Sequence, residues 1–280
     1  MRFTKMQGAG NDFIVIDNRN SALAEERLSA LAARLCSRRV SVGADGMMVV
    51  QASTVDGADY RMLFYNSDGS VGEMCGNGAR CICRYGYEKG LAGETQRVQT
   101  MAGLVTGTRV SAREYRVRLN DVTTLRLGLT LQTSQGPVEA HYVELGCPGL
   151  PHAVVHIDGL KDRNRAELRE LGRELRFHPA FPRGANVNFW DWNGAGALRE
   201  LTFERGVEDF TLACGTGTGS VVTALTVLGL VSGQEVPVTM DGGLLRISVD
   251  TSGELPSRLM LTGPTTFVAE GEILDEDLEG

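Results

Sequence analysis

Apolar and polar positions alternate along the first 120 residues in a pattern that predicts strands broken by two helices. Phe13-Ile14-Val15-Ile16 is an apolar, β-branched run. It lies within a strand predicted from Met6 to Asp17 and entered through the turn-rich Gly8-Ala9-Gly10-Asn11-Asp12. Leu28, Leu31, Ala32 and Leu35 then recur at helical spacing. A polar, glycine-containing turn from Arg38 to Asp45 leads into a second strand, Met47-Met48-Val49-Val50. A third runs from Arg61 to Asn66 and ends at the turn Ser67-Asp68-Gly69. Cys75 opens a Gly-x-Gly turn followed by a helix that should stop near Gly90, and strands follow to about Leu119.

The remaining chain repeats this order at an offset of 139 residues. Without gaps, that offset pairs Gly10 with Gly149, Val15 with Val154, Phe64 with Phe203 and Asn66 with Arg205. It also pairs Cys75 with Cys214, Gly90 with Gly229, and Thr100-Met101 with Thr239-Met240. Leu168, Leu171 and Leu175 repeat the leucine helix one residue further on. A repeat this long is a duplicated domain, not a solenoid unit. The expected fold is α/β (α+β): two pseudo-symmetric domains, each a curved, mostly antiparallel sheet wrapped around a central helix, with the active site in the interdomain cleft. The first domain is expected over residues 1–119, completed by a returning strand at about 260–275, and the second over 120–259, with the link near Asn120 to Thr124. Val221, Val222, Ala224, Leu225, Val227 and Leu228 leave the second helix almost no polar face, so it should be buried all round. Arg80, Arg84, Glu88 and Lys89 interrupt the first. The acidic tail Asp275 to Gly280 should fray.

A chain of 280 residues supports two domains, and 42% hydrophobic with 22% charged residues is ordinary for a globular protein. A net charge of −7 argues against nucleic-acid or anionic-membrane partners. No stretch reads as a membrane span or signal peptide, which places the protein in the cytoplasm. Six cysteines are too sparse for a disulfide scaffold, and four histidines form no metal-binding cluster, so no metal is expected. Cys36, Cys81, Cys83 and Cys147 read as small apolar fillers. A homodimer is compatible with the sequence, though no patch marks its surface.

Cys75 and Cys214 differ from the other four. Each stands at a predicted helix N-terminus, where unpaired N–H groups and the helix dipole stabilise a thiolate and should lower its pKa. Gly76-Asn77 and Gly215-Thr216 offer backbone N–H groups that suit a carboxylate. Two such ends facing one carbon would let one thiolate remove a proton while the other thiol delivers one to the opposite face. The outcome is racemisation or epimerisation without pyridoxal phosphate. Only three lysines occur, none in a context that suggests a Schiff base. Rival readings are a nucleotide-binding loop at Gly215 to Ser220, an amino-acid-binding protein without chemistry, and a thiol nucleophile working with His152. The first lacks a phosphate-loop lysine, and the last leaves the second cysteine motif without a purpose.

Met6-Gln7-Gly8-Ala9-Gly10-Asn11-Asp12-Phe13, Glu73-Met74-Cys75-Gly76-Asn77-Gly78-Ala79-Arg80, Asn186-Val187-Asn188-Phe189, Phe203-Glu204-Arg205-Gly206-Val207, Ala213-Cys214-Gly215-Thr216-Gly217 and Thr262-Gly263-Pro264 resemble the diaminopimelate epimerase family nearly end to end. The resemblance implies cofactor-independent interconversion of LL- and meso-2,6-diaminopimelate, on the bacterial route to lysine and peptidoglycan. It implies Cys75 and Cys214 as the acid/base pair, and Gly76, Asn77, Gly215 and Thr216 as the carboxylate clamp. Asn11, Asn66, Asn186 and Arg205 become substrate-holding residues. Glu204 takes the substrate ammonium or orients a thiol, and His152 supports the thiols. Three positions depart from the family pattern: Leu150 for an asparagine, Gly46 for a glutamine and Phe210 for a glutamate. They leave a racemase of another amino acid, on the same fold, as the alternative.

Overall fold

The computed structural model describes residues 1–20, 23–72, 75–194 and 196–274. Glu73, Met74 and the acidic tail therefore lie outside the described residues. The chain divides into two compact units, one of Met1–Val117 with Gly263–Gly280 and the other of Arg118–Thr262.

The first unit contains β1 (Arg2–Gly8), β2 (Asn11–Asp17), α1 (Glu25–Leu35), β3 (Gly46–Gln51), β4 (Tyr60–Asn66), β5 (Val71–Gly72), α2 (Gly76–Glu88), β6 (Thr95–Thr100), β7 (Gly103–Arg109) and β8 (Glu114–Arg118). The second contains β9 (Val122–Thr133), β10 (Gly136–Leu145), β11 (Leu150–His156), α3 (Arg165–Arg176), β12 (Asn186–Trp192), β13 (Leu198–Glu204), β14 (Asp209–Thr211), α4 (Gly215–Val227), β15 (Val236–Met240), β16 (Gly243–Asp250) and β17 (Ser257–Pro264). The chain then returns to the first unit as β18 (Thr266–Glu272), antiparallel to β1.

Strand pairing is the same in both units. The first runs β18-β1-β2-β3-β4-β6-β7-β8, parallel only at β2–β3 and β4–β6. The second runs β9-β10-β11-β12-β13-β15-β16-β17, parallel only at β11–β12 and β13–β15. Those parallel pairs are bridged by crossover helices, as parallel neighbours require. Helix α2 touches β1, β2 and β7, and α4 touches β10, β11, β12 and β16. A helix that reaches strands so far apart in the order has its sheet curled around it.

Alternation along the strands sorts two faces. In the second unit Ala153, Val155, Val187, Phe189, Leu201 and Phe203 pack with Leu168, Leu171 and Leu175 of α3. In the first, Ile14, Ile16, Met47, Val49, Leu63 and Tyr65 pack with Leu28, Ala32 and Leu35 of α1. The leucine spacing of both helices is thus explained by this outer core.

The register corrects the ungapped alignment. Val187 pairs with Phe203 where Met47 pairs with Tyr65, so the last long strand before each cysteine is offset by 138, not 139. Asn66 matches Glu204, not Arg205, and Phe64 matches Thr202, not Phe203. A one-residue slip puts a side chain on the other face, and Phe64 and Phe203 do lie on opposite faces.

Both central helices also depart from expectation. Arg80 does not interrupt the buried face of α2; it is fully buried, donating to Asn77 Oδ1 at 2.9 Å and Gly76 O at 3.3 Å. Helix α4 is buried from Gly217 to Leu225, but Val227 and Leu228 at its end are 42% and 41% exposed. Two of its buried hydroxyls are served locally: Thr218 donates to Cys214 O at 2.9 Å and Ser220 to Thr216 O at 2.9 Å.

Candidate active site

Cys75 and Cys214 occupy equivalent positions, each the N-cap of its unit's central helix with extended backbone (φ −125° and −123°). In the first unit, the Cys75 thiol donates to Asn11 Oδ1 at 3.4 Å, and Asn77 Nδ2 reaches the same oxygen at 3.4 Å. Asn11 donates in turn to Asp45 Oδ2 at 2.6 Å. Gly76 and Asn77 are buried in the first turn of α2. Asn66 lies at the matching end of β4, exposed, with its amide on Ser70 Oγ at 2.9 Å. Register brings these strand ends together: Phe13 pairs with Gly46, and Gly46 with Asn66.

In the sequence Asp12 and Asp45 read only as parts of turns, yet they anchor this end of the unit. Asp12 holds Lys5 at 2.7 Å and Arg38 at 2.6 Å, and Arg38 also reaches Asp45 at 2.8 Å. Burial pushes the Asp12 carboxyl up, but hydrogen bonds from Arg38 and Lys5 outweigh it and the net shift is downward. The sequence signal is an acid at each end of Asn11-to-Gly46, with no basis for pairing them.

In the second unit Cys214 is 8% exposed. Its sulfur accepts from Gly217 N at 3.4 Å and lies 3.5 Å from Thr216 Oγ1. Contrary to the expected lowering, its pKa is raised, first by burial and then by the nearby Glu204; the long contacts to Gly217 and Thr216 do not compensate. Glu204 ends β13 beside Arg205, whose backbone N–H donates to Asn186 Oδ1 at 2.8 Å. The Arg205 guanidinium donates to Arg183 O at 3.1 Å and has no carboxylate partner among the described residues. Arg183 and Arg176 beside it are paired with Glu144 at 2.6 Å and Glu208 at 3.1 Å. Burial, then those two cations, lower the Arg205 pKa.

His152 is fully buried next to Asn186 in the parallel β11–β12 pair. Asn188 Nδ2 donates to its Nδ1 at 3.2 Å, and burial holds its pKa down to about 3, so the ring is neutral. Sequence reading missed what surrounds it: Asn188, Glu200 and Thr202 are each fully buried. An isolated Asn, Glu or Thr on a strand reads as solvent-facing, so only the helix above them could reveal this.

The departures have physical counterparts. A side chain at Gly46 is excluded, because an added Cβ would lie 2.6 Å from Phe64 and 2.8 Å from Tyr65 O. Phe210 packs against Phe203 and Phe189 at 5.9 and 6.3 Å, as part of the outer core. Leu150 is half-buried at the start of β11. No disulfide joins any of the six cysteines; Cys36, Cys81 and Cys83 are buried with raised pKa values of about 11, 12 and 12, whereas Cys147 is exposed and fills nothing. Among the described residues, His156, Asp158 and Asp191 bring potential metal ligands within 4.8 Å. His156 and Asp158 are exposed and Asp191 is half-buried, and both Asp191 oxygens already accept backbone N–H groups. A cavity of about 980 Å³ in the first unit, lined by Met1, Phe3, Val15, Asp17, Tyr85 and Lys89 among others, contains none of the predicted site residues.

The family model described as diaminopimelate epimerase matches residues 3–123 and 147–268, each stretch containing one cysteine motif. The diaminopimelate epimerase of Aquifex aeolicus (strain VF5) is 36% identical, covering all of both chains. That of Hydrogenobaculum sp. (strain Y04AAS1) is 35% identical over 97% of this chain and 98% of its own. Among solved structures, a probable proline racemase from Agrobacterium radiobacter K84 superposes with a TM-score of 0.72 at 18% identity, covering 100% of this chain and 95% of that one. A Bacillus anthracis phenazine biosynthesis protein of the PhzF family gives 0.75 at 14%, over 98% and 99%. At such identities the structures share the duplicated fold, and fold alone does not carry function.

Proposed function

The chain belongs to the diaminopimelate epimerase family, and on that footing we propose that it is an isomerase interconverting LL- and meso-2,6-diaminopimelate through Cys75 and Cys214. The observation that supports this most is the repetition of one device. A cysteine caps the central helix at the same place in two topologically identical units.

In the proposed reaction one sulfur, as thiolate, takes the proton from a substrate α-carbon. The electron pair left behind spreads into the adjoining carboxylate, which the first N–H groups of α2 and α4, at Gly76-Asn77 and Gly215-Thr216, would stabilise as charge builds. The other sulfur, as thiol, gives its proton to the opposite face. The configuration inverts, and the two sulfurs end with exchanged protonation. The raised pKa of Cys214 supports its role as the resting thiol, which gives the first proton removal to Cys75 once its thiol has released the proton it directs at Asn11 Oδ1. Arg205, without an acid partner among the described residues, suits a second carboxylate held bidentately. Asn11, Asn66, Asn186 and Glu204 would hold the remaining substrate polar groups, with His152 in support.

The chemistry calls on no cofactor and on no partner beyond a small amino acid. The cytoplasm is the proposed location, which free cysteines suit; no described helix is long and apolar enough to cross a membrane. Leu150 and the side-chain-free Gly46 favour one alternative, racemisation of a different amino acid.

Incubation with LL-diaminopimelate in D₂O tests the proposal. Deuterium should enter the α-position as meso isomer forms, and Cys75→Ala and Cys214→Ala should each lower the rate by about 10²–10⁴-fold, the usual worth of a general acid or base. Uptake confined to another amino acid in a panel would replace the substrate. Full epimerisation by either variant would end the two-thiol mechanism.

A further inference from the structure

On the α4 side of the second sheet, a chain of fully buried polar side chains runs from His152 to Glu200 beneath Cys214. Its proton order follows from one fixed point. Ala153 O can only accept, and Asn188 Nδ2 lies 3.1 Å from it, which orients the amide. The same Nδ2 donates to His152 Nδ1 at 3.2 Å. Asn188 Oδ1 then accepts from Thr202 Oγ1 at 3.1 Å. Glu200 Oε1 lies 3.3 Å from the same Thr202 Oγ1 as a second acceptor; a hydroxyl has one proton to give, so both contacts are satisfied together only when Glu200 is the neutral acid and donates. Among the described residues its other oxygen, Oε2, is buried with no hydrogen-bond partner, which a carboxylate would tolerate poorly and a neutral acid far better.

The duplication supplies an internal control. The matching positions beneath α2 are Phe13, Met48, Met62 and Phe64, all buried, with the two rings packed edge to face at 6.0 Å. The fold is therefore satisfied by an apolar set at these four positions. His152, Asn188, Glu200 and Thr202 are polar only in the unit that carries Cys214. Resting on the reading of Cys214 as an acid/base group, we propose that Glu200 is a positioning residue for it, held as the neutral acid so that no second negative charge opposes the Cys214 thiolate.

The link is short. Thr218, beside the Glu200 carboxyl, donates to Cys214 O, and an added Cβ on Gly217 in the same turn would sit 3.2 Å from Glu200 Oε1. Burial raises the Glu200 pKa to about 8. A charge on Glu200 in turn raises the Cys214 pKa. Of the charged groups on the surrounding strands, Arg199 acts on Glu200 directly and draws its pKa down. On β13, Arg199 is bonded to Asp241 and Glu204 lies toward Cys214. On β12, Asp191 accepts two backbone N–H groups, and on β14 Asp209 holds Arg169 at 2.8 Å. Residues Gly215–Val227 and Val236–Met240 bring no charge.

The test is the pH dependence of Cys214 alkylation by iodoacetamide, read by peptide mass spectrometry in wild type and Glu200→Gln. The variant-to-wild-type rate ratio should rise with pH to about tenfold above pH 9, one pKa unit at Cys214. A ratio that stays flat overturns the proposal. Should Glu200→Gln not fold, ¹³C-glutamate-labelled wild type decides the matter independently: one carboxyl titrating near pH 8 supports the proposal, and all titrating below about pH 6 overturns it. Failure of the Cys214 reading would show separately, as epimerisation surviving in Cys214→Ala.

Discussion

A buried Glu200 held neutral makes stability depend on pH in a direction that can be worked out. Its pKa is about 8 in the native chain against 4.5 when solvated. Between those values the unfolded chain has released this proton and the native chain has kept it, so native stability falls as pH rises through that window. At pH 7 the burden is on the order of 3 kcal/mol, at 1.36 kcal/mol per pKa unit. Glu200→Gln keeps a donor for Thr202 and removes the burden. Urea denaturation should show it more stable than wild type at pH 7, with the gap closing below pH 4.5. An equal gap at both pH values would mean that the carboxyl is charged in the native state. His152 acts at the opposite end of the scale: held neutral by burial, it penalises the native state as pH falls below 6.5.

At the scale of elements, the helix-capping cysteines were legible because Cys-Gly-x-Gly before an apolar run announces a helix start, and two copies in register announce a repeat. The leucine helices were legible from spacing. The burial of Arg80 and of the Glu200 network was not, because side-chain chemistry alone assigns arginine and glutamate to the surface. Those residues are inside because a helix covers the sheet face they occupy, which local pattern does not encode. The 138-residue register was invisible for a related reason: Phe64 and Phe203 match by identity, and only strand pairing reveals that they point to opposite sides. Gly217 shows how tightly helix and sheet are fitted. An added Cβ would lie 2.2 Å from Asn188 Oδ1, and Asn188 is locked by hydrogen bonds to His152, Ala153 and Thr202. Gly217→Ala should lose about 1–3 kcal/mol in urea denaturation, as overpacked sites do. It should also change the rate of Cys214 alkylation, since the Gly217 N–H bond to sulfur shifts with the backbone. Unaltered stability and reactivity would show that the first turn of α4 has slack.

For the molecule as a whole, the duplication poses a question of stoichiometry: does each unit carry a working site, or half of one? Each unit alone has one capping thiol. The two units are also no longer equivalent in chemistry. The first backs its cysteine with Asn11, Asp45 and an apolar bed, and the second with Glu204, Arg205 and a buried polar chain. Two complete, independent sites would be expected to keep similar surroundings, whereas partners with different tasks, one taking a proton and one giving it, need not. Mixing separately purified Cys75→Ala and Cys214→Ala proteins tests this division. If both thiols of one chain serve one α-carbon, the mixture should epimerise no faster than the two variants measured apart. Recovery of activity on mixing would mean that a site draws its thiols from two copies of the chain. Half of wild-type activity in each variant alone would mean two autonomous sites, and the pairing of Cys75 with Cys214 would have to be abandoned.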